Sequence, residues 1–276
     1  MQFLVVSSKV FVGLALPALL LACANTTRSG AVGVNRSQFL AVSASEVDRL
    51  SAVSYNDQNQ KAKEKNILIT SGPAYDRLKT ISTRLIAQTG VFRDDTQQWN
   101  WQLVLINAPI LNATCAPGGK ITFYTGLIEQ LNLNDDEIAA IMGHEIAHAL
   151  REHGRERLSQ AMAQSAVANI AMAVAGPYGS AVSAANQAAQ YVLVLPNSCQ
   201  NESEADAIGL ELAARAGYNP RAAISVWQKM NKATEGKGTF EFLSTHPSGD
   251  TRIEQLTELM PAVEPLYQAS NKSKAK

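Results

Sequence analysis

The stretch Ile141–His153 reads IMGHEIAHALREH and holds three of the chain's four histidines. On an α-helix, residues four apart share a face, one turn above the other. His144 and His148 have that spacing, so both imidazoles can reach one ion. Glu145 follows His144 directly and leans to the side of the pair. This is the H-E-x-x-H arrangement: two nitrogen ligands for zinc, with a carboxylate placed to take a proton from an attacking water. The flanking residues predict a helix. Asn134, Asp135 and Asp136 offer capping oxygens. Ile138, Ile141, Met142, Ile146, Ala149 and Leu150 form an apolar stripe at helical spacing, which sets the polar ligands on a buried face. His153 lies further on, among Arg151, Glu152 and Arg155, and reads as a solvated helix end.

A zinc hydrolase also needs a third protein ligand and an open fourth position. The stretch SCQNESEADAIGLELAARAGYNP, 198–220, predicts a second amphipathic helix with Gly217 placed to end it. Glu202 and Asp206 are four apart and share a face. Glu204 points roughly 160–200° away, at about 100° per residue. Glu202 is therefore the candidate third ligand and Glu204 a solvated acid. Asp206, one turn on, can accept a hydrogen bond from the far nitrogen of His144 and so fix that ligand's tautomer.

GHEIAHAL followed by ESEADAIG resembles the M48 family of zinc metallopeptidases, in the gluzincin group, which pairs H-E-x-x-H with a later E-x-x-x-D. NATCAPGGKITFYTGLI (112–128) and LSTHPSGDTRI (243–253) also match the family pattern, so the resemblance runs from roughly Leu68 to Leu256. It implies an α+β, mainly helical, zincin-like metallopeptidase domain with a small β-sheet beside the H-E-x-x-H helix. It further implies one zinc ion per chain on His144, His148 and Glu202, with Glu145 as the catalytic carboxylate of a metalloendopeptidase. The same four residues follow from helical spacing alone.

The chain's 276 residues suffice for one sizeable domain, and its few aromatics favour a helical protein. Net charge is zero and no dense basic patch occurs, so a nucleic-acid role has no support. The opening residues, MQFLVVSSKVFVGLALPALLLACA, form a targeting segment whose apolar core is too short to span a bilayer. Its LLAC resembles a bacterial lipobox, with Cys23 as the lipidated residue; an ordinary signal peptide or an uncleaved anchor is the alternative. The expected organisation is a signal peptide over 1–22, a tether over 23–41, a metallopeptidase domain over 42–268 and a disordered tail over 269–276. Ala24 after Cys23 resembles Gram-negative lipoproteins of the outer membrane. The expected location is thus the periplasmic face of that membrane, held by a lipid anchor. Cys115 and Cys199 then remain as an even pair, read either as a disulfide or as two separate thiols.

Along the domain, 42–65 predicts a polar helix capped by Ser43 or Ser45, and 75–89 another, closed by Gly90. WNWQLVLIN (99–107) and KITFYTG (120–126) are strands. The edge of the second is expected to receive an extended peptide by strand addition. The Ala-rich stretch 156–196, broken at Gly176–Pro177, reads as a helical hairpin too polar for a lipid-facing span. A final helix follows Pro247, and its Arg252 can pair with an acid such as Asp206. His246 has three readings: a turn residue, a hydrogen-bond donor to the oxyanion, or a latch on the metal's open position. The expected substrates are unfolded or misassembled envelope proteins. The rival is a binding or chaperone module on the same scaffold with structural zinc, against which Glu145 argues, since such a site needs no such residue.

Overall fold

The computed structural model describes residues 23–169, 191–192, 195–234, 241–246 and 251–274. The leader, most of the Ala-rich hairpin, and Pro247 with Ser248 lie outside the described residues. Short strands β1 (Cys23–Ala24) and β2 (Gln38–Phe39) pair antiparallel. Helix α1 (Ala44–Glu64) starts where the Ser43 hydroxyl accepts from the Glu46 amide. Strand β3 (Leu68–Ile69) leads to α2 (Pro73–Ile86), with proline in its first turn, where no N–H is needed. Then come β4 (Gln102–Ile106), β5 (Ala113–Ala116), β6 (Lys120–Tyr124) and the short α3 (Thr125–Gln130). The histidine-bearing helix is α4 (Asp135–Leu150), and α5 (His153–Asn169) follows it. Helices α6 (Cys199–Arg215), α7 (Ala222–Thr234), α8 (Glu241–Thr245) and α9 (Arg252–Lys274) complete the described chain. None of these helices is long and apolar enough to cross a membrane.

The main sheet has the order β3-β4-β6-β5. Strand β6 therefore lies inside, parallel to β4 and antiparallel to β5. This corrects the expectation that the edge of KITFYTG is free. Gly118 and Gly119, with φ of 72° and 81°, turn the chain from β5 straight into β6 as a hairpin. That hairpin fills the expected docking edge with β5, which becomes the outer strand.

A reciprocal cap starts α4: the Asn134 side chain accepts from the Glu137 amide, and Glu137 accepts from the Asn134 amide. Helices α4 and α6 cross at two glycines. A Cβ on Gly143 would lie 2.8 Å from the Gly209 carbonyl oxygen, and one on Gly209 would lie 2.6 Å from the His144 nitrogen. Backbone therefore meets backbone, and the Glu202 face of α6 is drawn up against the His144 face of α4. Ile138, Met142 and Ile146 from α4, Ile208 and Leu212 from α6, and Phe123 from β6 are fully buried around this crossing. Each such side chain contributes about 1.5–3 kcal/mol.

The stretch read as a tether is instead a strap laid on the domain. The Ala31 and Val32 amides donate to Glu211 Oε2 at 2.7 and 3.1 Å. Arg28 pairs with Asp94, and Asn25 accepts from Arg151. The reason is Glu211, fully buried on α6, whose carboxylate needs donors that the strap supplies. The expected disordered tail is also corrected, because α9 continues to Lys274. Cys115 and Cys199 are unbridged: Cys115 is buried on β5, whereas Cys199 is exposed at the start of α6.

Candidate metal centre

Helix α4 presents His144, Glu145 and His148, all buried. Glu202 and Asp206 face them from α6, and His246 approaches from just after α8. One donor atom each from His144, His148, Glu202 and His246 lies within 4.8 Å of the others. His144 Nε2 is 3.0 Å from His148 Nε2 and 3.2 Å from His246 Nδ1. Glu202 Oε1 is 3.3 Å from His148 Nε2 and 3.0 Å from His246 Nδ1. Beside this group, Glu145 Oε1 is buried without a hydrogen bond, 3.4 Å from His246 Nε2.

Asp206 Oδ1 lies 2.9 Å from His144 Nδ1. Arg252, itself buried, holds Asp206 through Nε at 2.5 Å and Nη2 at 2.7 Å, and reaches Glu202 Oε2 at 2.9 Å. Its guanidinium lies 3.6 Å from the Trp227 ring centre. Burial opposes ionisation of Glu202, but the His246 and His148 imidazoles outweigh it and hold the carboxylate far below its usual range. Burial likewise lowers His144, yet Asp206 and Glu202 prevail and lift it to about 9. Burial pushes Glu145 up and His148 well down.

The residues present fit a divalent ion. Three imidazole nitrogens converge with a carboxylate, and beside them Glu145 Oε1 is buried without a hydrogen bond. The carboxylates that favour a proton on His144 favour any cation at that point. Imidazole and carboxylate donors in this number suit zinc.

Two expected surface residues are buried. His153 is fully buried, not a solvated helix end. Helix α4 stops at Leu150, and Glu152 takes φ of 51°, so α5 starts in a new direction and tucks His153 beneath His148. Glu204 does point away from Glu202, but it faces no solvent. It pairs with Arg36 of the strap at 2.5 Å, Arg151 at 2.8 Å and His153 at 3.1 Å. Neither Arg36 nor the Gly143–Gly209 crossing is visible by helical spacing, since both depend on which distant segment covers which face.

Burial opposes ionisation of Glu204, but His153 and Arg36 prevail and bring its pKa from 4.5 to about 2. Folding thus favours the charged form. This contribution is full above about pH 4.5 and is lost as pH falls towards about 2. The chelated protein should lose stability from this group across that window. Denaturant titrations of wild type and Glu204→Gln at several pH values check it; parallel stability curves would remove Glu204 as the cause.

A helix bearing H-E-x-x-H, joined by a carboxylate from a second helix beside a small sheet, defines a zincin-like metallopeptidase domain. The pattern of peptidase family M48 matches residues 74–260. The chain belongs to that family. It is 36% identical over 159 residues to the mitochondrial metalloendopeptidase OMA1 of Arabidopsis thaliana, covering 58% of this chain and 31% of that protein. The enzyme of the same name from Saccharomyces cerevisiae is 34% identical over 178 residues, covering 62% and 50%. The β-barrel assembly-enhancing protease of Yersinia pestis is 25% identical over 202 residues, covering 70% and 40%. The chain spans half or less of the length of these three curated relatives.

The mitochondrial relatives overturn one expectation. The lipid-anchored position on the bacterial outer membrane rested on the leader, its LLAC and the Ala24 that follows, and an apolar leader is a generic targeting feature.

Proposed function

We propose that this chain is a zinc-dependent metalloendopeptidase that cuts unfolded or misassembled proteins in a quality-control role. The observation that carries the reading is Glu145: a buried carboxylate whose free oxygen faces the metal-binding cluster. The relatives named as metalloendopeptidases and as a protease enhancing β-barrel assembly support it.

His144, His148 and Glu202 would hold the zinc, which would supply Lewis-acid activation of a water and of the peptide carbonyl. Glu145 takes a proton from the attacking water and later hands it to the leaving amine. Its burial, which raises its pKa, suits a group that must both accept and return a proton. Asp206 keeps the His144 proton on Nδ1. Strand β5 offers the edge for an extended substrate, since its Thr114 and Cys115 line one cavity with Glu145, His148 and His246. Main-chain pairing of this kind suits a locally unfolded substrate.

His246 acts as a latch. Its Nδ1 stands among the ligand atoms, 3.0 Å from Glu202 and 3.2 Å from His144, so with it in place the donor set is four. A site with four protein donors is closed, and turnover needs the ring to move aside. His246→Ala should retain zinc and raise basal casein cleavage. Loss of cleavage with zinc retained would replace the latch with an oxyanion donor.

The function is tested with casein and a stably folded protein as paired substrates. Cleavage of casein should stop on chelation and return with zinc, while the folded protein stays intact. His144→Ala, His148→Ala and Glu202→Ala should each bind zinc at least about ten-fold more weakly. Wild-type zinc binding by Glu202→Ala would move the third ligand elsewhere. Failure of the zinc-loaded protein to cleave casein would sink the enzyme reading in favour of a binding module, and chelator-resistant cleavage would sink its dependence on zinc.

A further inference from the structure

We propose that Glu204 and His153 form an ordered hydrogen-bond relay that fixes the tautomer of His148 and presents its Nε2 lone pair to the metal. The inference rests on the reading of His148 as a zinc ligand.

The two ligand histidines on α4 are braced differently. His144 Nδ1 meets a carboxylate directly, at Asp206. His148 Nδ1 meets a third histidine instead: His153 Nδ1 is 2.8 Å away. The two rings stand edge to face, 71° apart with centres at 4.9 Å. Two ring nitrogens at that distance must share one proton, one donating and the other accepting. The far side of His153 decides which. Its Nε2 lies 3.1 Å from Glu204 Oε2, a group that can only accept. The His153 proton therefore sits on Nε2 and is donated to Glu204. His153 Nδ1 is then left as an acceptor, and His148 Nδ1–H donates to it. The only proton on neutral His148 is thereby held on the side away from the metal cluster, and its Nε2 is a bare lone pair.

The opposite order fails on the far side, where it aims the unprotonated Nε2 of His153 at the Glu204 carboxylate. It also puts a proton on His148 Nε2, which would block that nitrogen as a metal ligand. No solvent can rescue that order, because His153 is fully buried. Glu204 cannot swing away either. Arg151 grips it through Nε at 2.9 Å and Nη2 at 2.8 Å, and Arg36 holds its other oxygen at 2.5 Å. His153 is thus a positioning residue: it touches no substrate and acts on the metal through His148. Partners of this kind, outside the ligand set, typically change metal affinity 10–100-fold on mutation.

The experiment compares zinc affinity of the full chain by chelator competition, alongside melting of the chelated proteins. His153→Phe, which keeps the ring volume and loses both nitrogens, should bind zinc about 10–100-fold more weakly. His153→Gln should recover most of the loss, because its amide can accept from His148 and donate to Glu204, while melting close to His153→Phe. Equal zinc affinity for His153→Phe and wild type, or no recovery by glutamine, would overturn the relay. With His148→Ala as reference, such a result leaves the ligand reading standing provided that variant loses zinc. Wild-type affinity in His148→Ala overturns both. If His153→Phe does not fold, nitrogen-15 histidine spectra of the zinc-loaded wild type decide. Protons on His148 Nδ1 and His153 Nε2 are expected, and the reverse pattern refutes the proposal.

Discussion

Glu145→Gln should bind zinc as tightly as wild type and hydrolyse casein about 10²–10⁴-fold more slowly. The amide matches the carboxylate in shape but cannot take a proton. Glu145 is buried with one oxygen free of hydrogen bonds. The substitution therefore leaves the surroundings in place and removes one chemical capacity. Steady-state cleavage and metal content, measured on the same preparation, check both halves. Turnover near the wild-type rate would end the assignment of Glu145 as the base.

Arg252→Ala should destabilise the chelated protein by about 3–5 kcal/mol. The guanidinium is buried between Asp206 and Glu202 and makes charge-assisted contacts to both. Its removal leaves two carboxylates in the interior without their main counter-charge, and the surrounding apolar residues cannot solvate them. Zinc should offset part of the loss, since a cation next to Glu202 compensates one of the two. Arg252→Lys should recover little, because an ammonium cannot span both acids as the planar fork does. Denaturant unfolding of the three proteins, with and without zinc, gives the comparison. A loss under about 1 kcal/mol in the chelated alanine variant would show that the acids find other partners.

What could be read in the sequence was what depends on short range. Helical spacing is local, so it put His144 with His148, and Glu202 with Asp206, on common faces. It also turned Glu204 correctly away from the metal. What it could not supply was the identity of the neighbour on that far face. Arg36 comes from a segment whose small polar residues read as a linker, and nothing nearby announces that a buried Glu211 draws it in. His153 was misplaced for a related reason. Counting onward from His148 assumes one continuous helix, whereas the chain breaks at Glu152. The strand order escaped in the same way: the strand at 120–126 was legible, but only the hairpin shows that β5 fills its edge.

The contact between Gly143 and Gly209 makes the ligand-bearing helices act as a fixed caliper. Where side chains separate two helices, a change of rotamer lets the gap breathe. Here atomic radii alone set it, since a backbone carbonyl and a backbone nitrogen stand where Cβ atoms would otherwise be. The span from His144 to Glu202 thus has almost no compliance. An ion of different radius must be met by rotation of the ligand side chains, not by movement of the helices that carry them. On the latch reading proposed for His246, ion choice belongs to this helix pair and the admission of substrate to His246, so the two can be altered independently.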